Sequence, residues 1–307
     1  MERNFPSARR ISRRKASNKE LRALVHAIVF LTVPVITADA QIGGQVPSIE
    51  HPTEAKPGTP FDPHDISGKW NRISPFESFS NVPGGAPGAQ GLPGNAGQAV
   101  AEAPFTAEGK KKFDANRPSY GRRQVAPMLG NDPQMTCDPM GVPRVLNAQV
   151  KGPHATMEIT MTSDRMLQFF QWHHDWREIW LDGRALPKLD DIEPKWDGYS
   201  VGRWDGNTFI VNSVGFDERT WLDHNGYPHS DRMLLEERYR RLDANTLELV
   251  MTVTDPVIYA KPFMSDTKVF KLDRVGVKEW DPQIYCVPSE EFRFNSLIRD
   301  GGAGKQK

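Results

Sequence analysis

From about residue 154 onward, apolar and polar side chains alternate with a period of two, the spacing that sends neighbours to opposite faces of a strand. Thr156-Met-Glu-Ile-Thr-Met-Thr162 alternates in this way. So does Met166 to Trp180, read as one strand with Phe170, Trp172, His174, Trp176 and Trp180 on one face and His173, Asp175, Arg177 and Ile179 on the other. In Glu236-Glu-Arg-Tyr-Arg240 the same period groups Glu236, Arg238 and Arg240 against Glu237 and Tyr239. Arg203-Trp-Asp-Gly-Asn-Thr-Phe-Ile-Val211 nearly repeats as Arg241-Leu-Asp-Ala-Asn-Thr-Leu-Glu-Leu249, displaced by 38 residues. Each copy sets Asp-x-Asn between two apolar runs, and Asp, Asn and Gly supply the backbone geometry and local hydrogen bonds of tight hairpins. Phe270-Lys-Leu-Asp273 begins a third, degraded copy. Hairpins in succession make an antiparallel meander, and one of this length either closes into a barrel or stacks as two sheets.

The first half of the chain lacks this rhythm. A basic stretch to Arg22 precedes the apolar run Ala23 to Ala38, 16 residues that end in Ala38-Asp-Ala40 before Gln41. The run falls short of the roughly 20 residues of a membrane helix, and small-x-small is an export cleavage pattern. Residues 1–40 are therefore expected to be a signal peptide, with an uncleaved anchor as the alternative. Arg13-Arg14 admits a twin-arginine route, but the hydrophobic residues that usually follow the pair are missing. Residues 41–64 read as a flexible leader and 293–307 as a tail, around one domain over 65–292. Gly68-x-Trp70 suits the first strand of a lipocalin-like barrel, Gly letting the chain bend and Trp closing one end. Residues 81–104 hold six Gly and four Pro and no aromatic residue. That composition cannot offset its ordering entropy, which predicts a disordered surface loop. Phe105 to Asp114 predicts one short helix with Thr106 as N-cap.

Charge changes the picture of destination. The chain has 39 Lys+Arg and 39 Asp+Glu, a net of zero. Residues 1–40 carry eight bases and three acids, so the exported remainder is acidic by five charges. An acidic product without a basic stripe argues against nucleic acid, and cleavage would leave no stable membrane span. In a periplasmic or secreted setting the two cysteines, Cys137 and Cys286, are expected to pair. No Walker A loop, dinucleotide motif or G-x-S-x-G elbow occurs, so no organic cofactor is expected. No metal site is assigned: His224 and His229 match no recognised ligand spacing.

Two stretches carry candidate chemistry. Gln171-Trp-His-His-Asp-Trp-Arg-Glu-Ile-Trp180 gathers a histidine pair, an arginine and carboxylates among aromatic walls, the make-up of a ligand pocket or of a strand with charges outside. Gly215 to Asp231 joins the hairpin copies and offers Asp217, Arg219, Asp223, His224, His229 and Asp231, either as acid–base groups or as loop caps.

Phe113-Asp-Ala-Asn-Arg-Pro-Ser-Tyr-Gly121, Gly130-Asn-Asp-Pro with Cys137-Asp-Pro, Trp172-His173 with Trp176-Arg-Glu-Ile-Trp180, and Ser200-Val-Gly-Arg-Trp-Asp-Gly-Asn-Thr208 form a set. Gly215-Phe-Asp, Thr220-Trp-Leu-Asp223, Pro228-His-Ser-Asp231 and Glu237-Arg-Tyr-Arg240 extend it. Over roughly 105–292 this set resembles a group of exported, uncharacterised bacterial proteins common in acidobacteria and proteobacteria. The resemblance implies a lipocalin-like β-barrel and no assigned activity. In that group the positions of His174 and Asp175 often look like Arg and an apolar residue.

The fold expected is mainly β, an antiparallel meander closed into a lipocalin-like barrel, with a two-sheet sandwich as the alternative. The function expected is binding of a small aromatic or apolar ligand bearing a polar or anionic group. Trp172, Trp176, Trp180 and Trp221 would be the walls and Arg177 the polar anchor. A cofactor-independent lyase, isomerase or hydrolase is the alternative, with His229 oriented by Asp231 or Asp223 and opposed by His173 or Glu178. An envelope structural or interaction protein is the third.

Overall fold

The computed structural model describes residues 55–73, 78–80, 103–118, 123–126, 129–147, 157–273 and 286–287. The expected signal peptide, most of the leader, nearly all of the Gly/Pro-rich stretch and the C-terminal tail lie outside the described residues.

The strands are β1 (Gly68–Arg72), β2 (Met157–Met161), β3 (Arg165–Phe170), β4 (Trp176–Trp180) and β5 (Tyr199–Asp205). They continue as β6 (Thr208–Val214), β7 (Leu234–Asp243), β8 (Thr246–Thr254), β9 (Phe263–Met264) and β10 (Lys268–Leu272). Each pairs with the next from β1 to β9, and β10 pairs with both β1 and β8. This closes a barrel from every strand but β9, and the two-sheet alternative falls away. All pairings are antiparallel except β4 with β5, which run parallel over only two register pairs, Ile179 with Ser200 and Trp180 with Val201.

The repeated hairpins form where the turn residues place them. Gly206 takes φ +56 between β5 and β6, and the Asp243 side chain accepts the Asn245 N–H at 2.7 Å between β7 and β8. In β1, Gly68 has φ +132, and a Cβ there would lie 2.4 Å from Leu272 Cδ1. Only glycine meets both demands. Trp70 is fully buried, and its Nε1 donates to Ile66 O at 2.9 Å.

The strand expected over Met166 to Trp180 is instead a hairpin. Phe170 N donates to Asp175 O at 2.8 Å, and Trp172–His174 form a 3-10 turn between β3 and β4. The turn reverses the faces. Met166, Gln168 and Phe170 point inward from β3, Arg177 and Ile179 from β4, and Trp176, Glu178 and Trp180 lie on the outer face.

Side chains fill the barrel. Trp70, Met157, Phe170, Ile179, Phe209, Tyr239, Leu249 and Phe270 are buried in one continuous core. The expected helix forms as α1 (Ala107–Ala115), with the Thr106 hydroxyl accepting the Gly109 N–H. Phe113 on α1 stacks on Tyr227 at 4.9 Å between ring centres, and Phe105, Tyr259 and Phe263 extend the cluster.

Cys137 and Cys286 form the expected disulfide, with Cα atoms 5.4 Å apart across 149 residues of sequence. Close by, Arg144 at the start of α2 (Arg144–Asn147) grips Asp132 with two bonds of 2.7 Å, both residues buried. Among the described residues no helix is long and apolar enough to cross a membrane.

Candidate functional site

A cleft of about 1040 Å³ opens where β4 and β5 part. The two strands share only two parallel register pairs, and Asp175 and Asp197, just ahead of them, both line the cleft. Trp176, Trp180, Trp196 and Tyr199 supply aromatic surface to the cleft. Trp176 is half exposed, at 51%.

Cations lie over three of these rings. Arg184 sits 3.8 Å above the centre of Trp180, Arg219 4.3 Å above Trp196, and the Lys195 ammonium 4.2 Å above Tyr199. Both arginines are held by an aspartate two residues earlier. Asp182 takes Nε and Nη2 of Arg184 at 2.9 and 2.6 Å, and Asp217 takes the same atoms of Arg219 at 2.9 and 2.7 Å. These clamps hold Asp182 and Asp217 below the usual carboxylate range, through the hydrogen bonds from the arginines first of all.

The floor is Arg177, buried and turned into the barrel. Nη1 and Nη2 donate to the two oxygens of Glu237 at 2.9 and 2.6 Å, and Nε donates to Gln168 Oε1 at 2.8 Å. Tyr239 donates its hydroxyl to Glu237 at 2.7 Å and accepts from Gln168 Nε2 at 3.2 Å. Burial opposes the Arg177 charge, but Glu237, Tyr239 and Asp197 together outweigh it and hold the guanidinium above its ordinary value. Burial and Glu237 together keep the Tyr239 hydroxyl protonated.

Asp197 is fixed from two sides. Lys195 N donates to Gly215 O at 2.9 Å and Asp217 N to Lys195 O at 3.0 Å, which tie its turn to the end of β6. On the other side the backbone amide of Val142 lies near the Asp197 carboxylate and favours its ionised form. Gly198 follows with φ +65, and a Cβ there would lie 2.7 Å from Val214 O, so the turn is too tight for any side chain. The Asp197 carboxyl lies within hydrogen-bond reach of Asp175. Burial, then Asp175, pushes Asp197 up to about 7.

No protein-family model, no curated protein and no solved structure matches this chain. The site is therefore read from its own residues.

Of the residues singled out in the sequence, Trp176, Arg177, Glu178 and Trp180 line the cleft. Arg177 sits in its floor rather than as a free anchor, because its fork is committed to Glu237. Glu178 pairs with Arg165 at 2.8 Å. Trp172 packs against the core, and Trp221 is buried beneath Arg144, 5.6 Å from its ring centre. The side chain of His173 lies outside the described residues.

The 215–231 loop contributes Asp217 and Arg219 to the cleft, while His229 and the loop's other aspartates serve the fold or face solvent. His229 is fully buried, with Nε2 2.6 Å from Thr220 Oγ1 and Nδ1 3.0 Å from Ser230 O. The carbonyl can only accept, so Nδ1 carries the proton and Nε2 accepts from the threonine. Asp223 is buried and accepts Phe79 N at 2.6 Å and Asn225 N at 2.8 Å, which is a loop-capping role. Asp231 is exposed beside Arg232. The three residues therefore do not assemble into an acid–base group. Asp197, Trp196 and the clamp of Asp182 on Arg184 escaped the sequence reading. Part of the signal was available in Asp182-Gly-Arg184, two residues after Trp180, and in Asp217-Glu-Arg219, the same Asp-x-Arg pair two residues before Trp221.

Among the described residues no group of three or more His, Cys, Asp or Glu is placed to hold a metal ion.

Proposed function

We propose that this is an exported protein that binds a small aromatic or apolar ligand carrying an anionic or polar group, and that the ligand sits in the cleft between β4 and β5. One observation carries the reading. The cleft is large enough for a small molecule and joins exposed Trp surface to two arginines held rigid by their own aspartates. Ligand sites are concave, aromatic-walled and furnished with a few fixed polar groups. An aromatic ring would stack on the half-exposed Trp176, beside Trp180 and its Arg184 cover. A carboxylate would meet the Nη1 edges of Arg184 and Arg219, turned away from Asp182 and Asp217. The lumen is filled by side chains, which rules out a ligand inside the barrel, so the reading is kept only for the seam between β4 and β5.

Export is supported by the small-x-small pattern at Ala38-Asp-Ala40 and by the disulfide, a bond that persists in oxidising compartments. Membership of the exported group that the sequence resembles belongs to the same proposal.

The test is calorimetric titration of the oxidised protein with a panel of aromatic carboxylic acids, with Trp fluorescence as a second readout. Saturable binding that weakens about tenfold in Trp176→Ala and in Arg184→Ala supports the reading, a loss of about 1.4 kcal/mol each. Binding that neither substitution affects would place the ligand elsewhere, and absence of binding across the panel would remove this ligand class.

A further inference from the structure

Asp175 and Asp197 arrive at the cleft from different strands and meet there. Asp175 opens β4 and accepts the Trp176 N–H on Oδ1 at 2.8 Å. Asp197 is placed by the turn ahead of β5. Its Oδ1 reaches neither solvent nor a hydrogen-bond donor among the described residues. A carboxylate has no proton to give, so two ionised groups in contact repel each other. The repulsion is relieved by a proton held between them or by a cation placed against them.

The fixed cations nearby are engaged elsewhere. Arg177, two residues after Asp175, holds Glu237 and also favours the ionised form of Asp197, but less strongly than burial and Asp175 oppose it. Arg184 and Arg219 hold Asp182 and Asp217. Lys195 lies over Tyr199. Glu178, the remaining acid of β4, is matched by Arg165. The carboxyl pair thus faces a space walled by tryptophans, and aromatic faces attract organic cations.

We propose that Asp175 and Asp197 together bind the protonated amine of the ligand, so that the cleft takes an aromatic molecule bearing both an amine and a carboxylate, the chemistry of an aromatic amino acid. The proposal rests on the reading of the cleft as a ligand site and names the ligand class. The exchange balances in charge: an ammonium enters, the shared proton leaves to solvent, and both carboxylates end ionised. The position of Asp197 near 7 puts this exchange within the neutral range.

Calorimetry with three probes tests it: phenylalanine, phenethylamine and 3-phenylpropionate, each from pH 5.5 to 8.5 in two buffers of different ionisation enthalpy. The two amines are expected to bind tighter than phenylpropionate. Their affinity should rise roughly 20-fold between pH 5.5 and 7.5, with close to one proton released at the lower pH. Asp197→Asn should weaken the amines at least tenfold and abolish proton release, while phenylpropionate is unaffected. Release that persists in Asp197→Asn would assign the proton to another group, with His174 the remaining imidazole of the lining, and overturn the proposal. Binding of phenylpropionate in preference to phenethylamine overturns it while the cleft reading stands. Failure of all three probes removes both.

Discussion

Arg177 and Glu237 meet fork to fork inside the barrel, at 2.9 and 2.6 Å, although they lie 60 residues apart. Gln168 and Tyr239 complete the set, so every nitrogen of the guanidinium has a partner. A buried ion pair of this kind adds little net stability over an apolar pair, but breaking it from one side strands a charge. Arg177→Met is expected to cost about 3–5 kcal/mol in urea unfolding. Arg177→Met with Glu237→Met should recover most of that loss. A double variant as unstable as the single one would contradict the account.

The Cys137–Cys286 bridge closes a span of 149 residues. Chain entropy gives it an upper worth of roughly 5 kcal/mol for a loop of that length. Cys137→Ser with Cys286→Ser should lower the unfolding midpoint to that of the wild-type protein under reductant. Cys137 lies two residues before Pro139, which lines the cleft. Ligand titrations of the reduced protein should therefore also show weakened amine binding.

Asp197 carries the opposite sign of linkage from most aspartates. Its folded value is raised to about 7, by burial first and then by Asp175. The folded state thus holds a proton that the unfolded chain releases near its ordinary value. Stability is favoured at low pH and falls as pH rises from about 4 to about 7. Asp197→Asn removes that loss. Its stability relative to wild type should grow across this window and level off above pH 7, with a gain of at least about 1 kcal/mol there after allowance for solvent on the open side of the cleft. Denaturant midpoints at pH 4.5 and 8 suffice, and an unchanged difference between them would refute the shared proton.

His229 runs the other way. Burial lowers its folded value, against the pull of Ser230 O and Asp255. The unfolded chain then takes up a proton first, so the contribution is whole above about pH 6.5 and is lost as pH falls below it. Wild-type stability should drop between pH 6.5 and 5 by up to about 1.4 kcal/mol per pH unit beyond that of His229→Gln. Parallel profiles for the two proteins would show that this histidine does not titrate differently on folding.

Local chemistry was the legible part. Asp-x-Asn marked both hairpin turns, Thr106 marked the helix start, and the alternation of 236–240 put Glu237 and Tyr239 on a common face. The stretch 166–180 misled because the turn is itself written in alternating aromatic and polar residues. Inward positions run 166, 168 and 170 in β3 but 177 and 179 in β4. The five intervening residues shift the pattern by one place without interrupting it, and that shift sends Arg177 inside and Trp176 and Trp180 outside. The contact of Asp175 with Asp197 had no local trace. It depends on how two strands joined by an 18-residue connection (181–198) come to lie side by side, and no periodicity encodes that.

The parallel joint between β4 and β5 has a counting origin. Walking once around a closed ring of strands, direction flips at every antiparallel joint and must return to its starting sense. The number of flips is therefore even. Nine of the ten strands form this ring, all but β9, and an odd ring cannot alternate throughout. One joint has to break the alternation, and here it is the one with the fewest register pairs among the nine. The cleft thus lies at the defect that an odd ring requires. Adding or deleting one strand, by insertion or by design, would remove the need for the defect and with it the structural reason for the cleft.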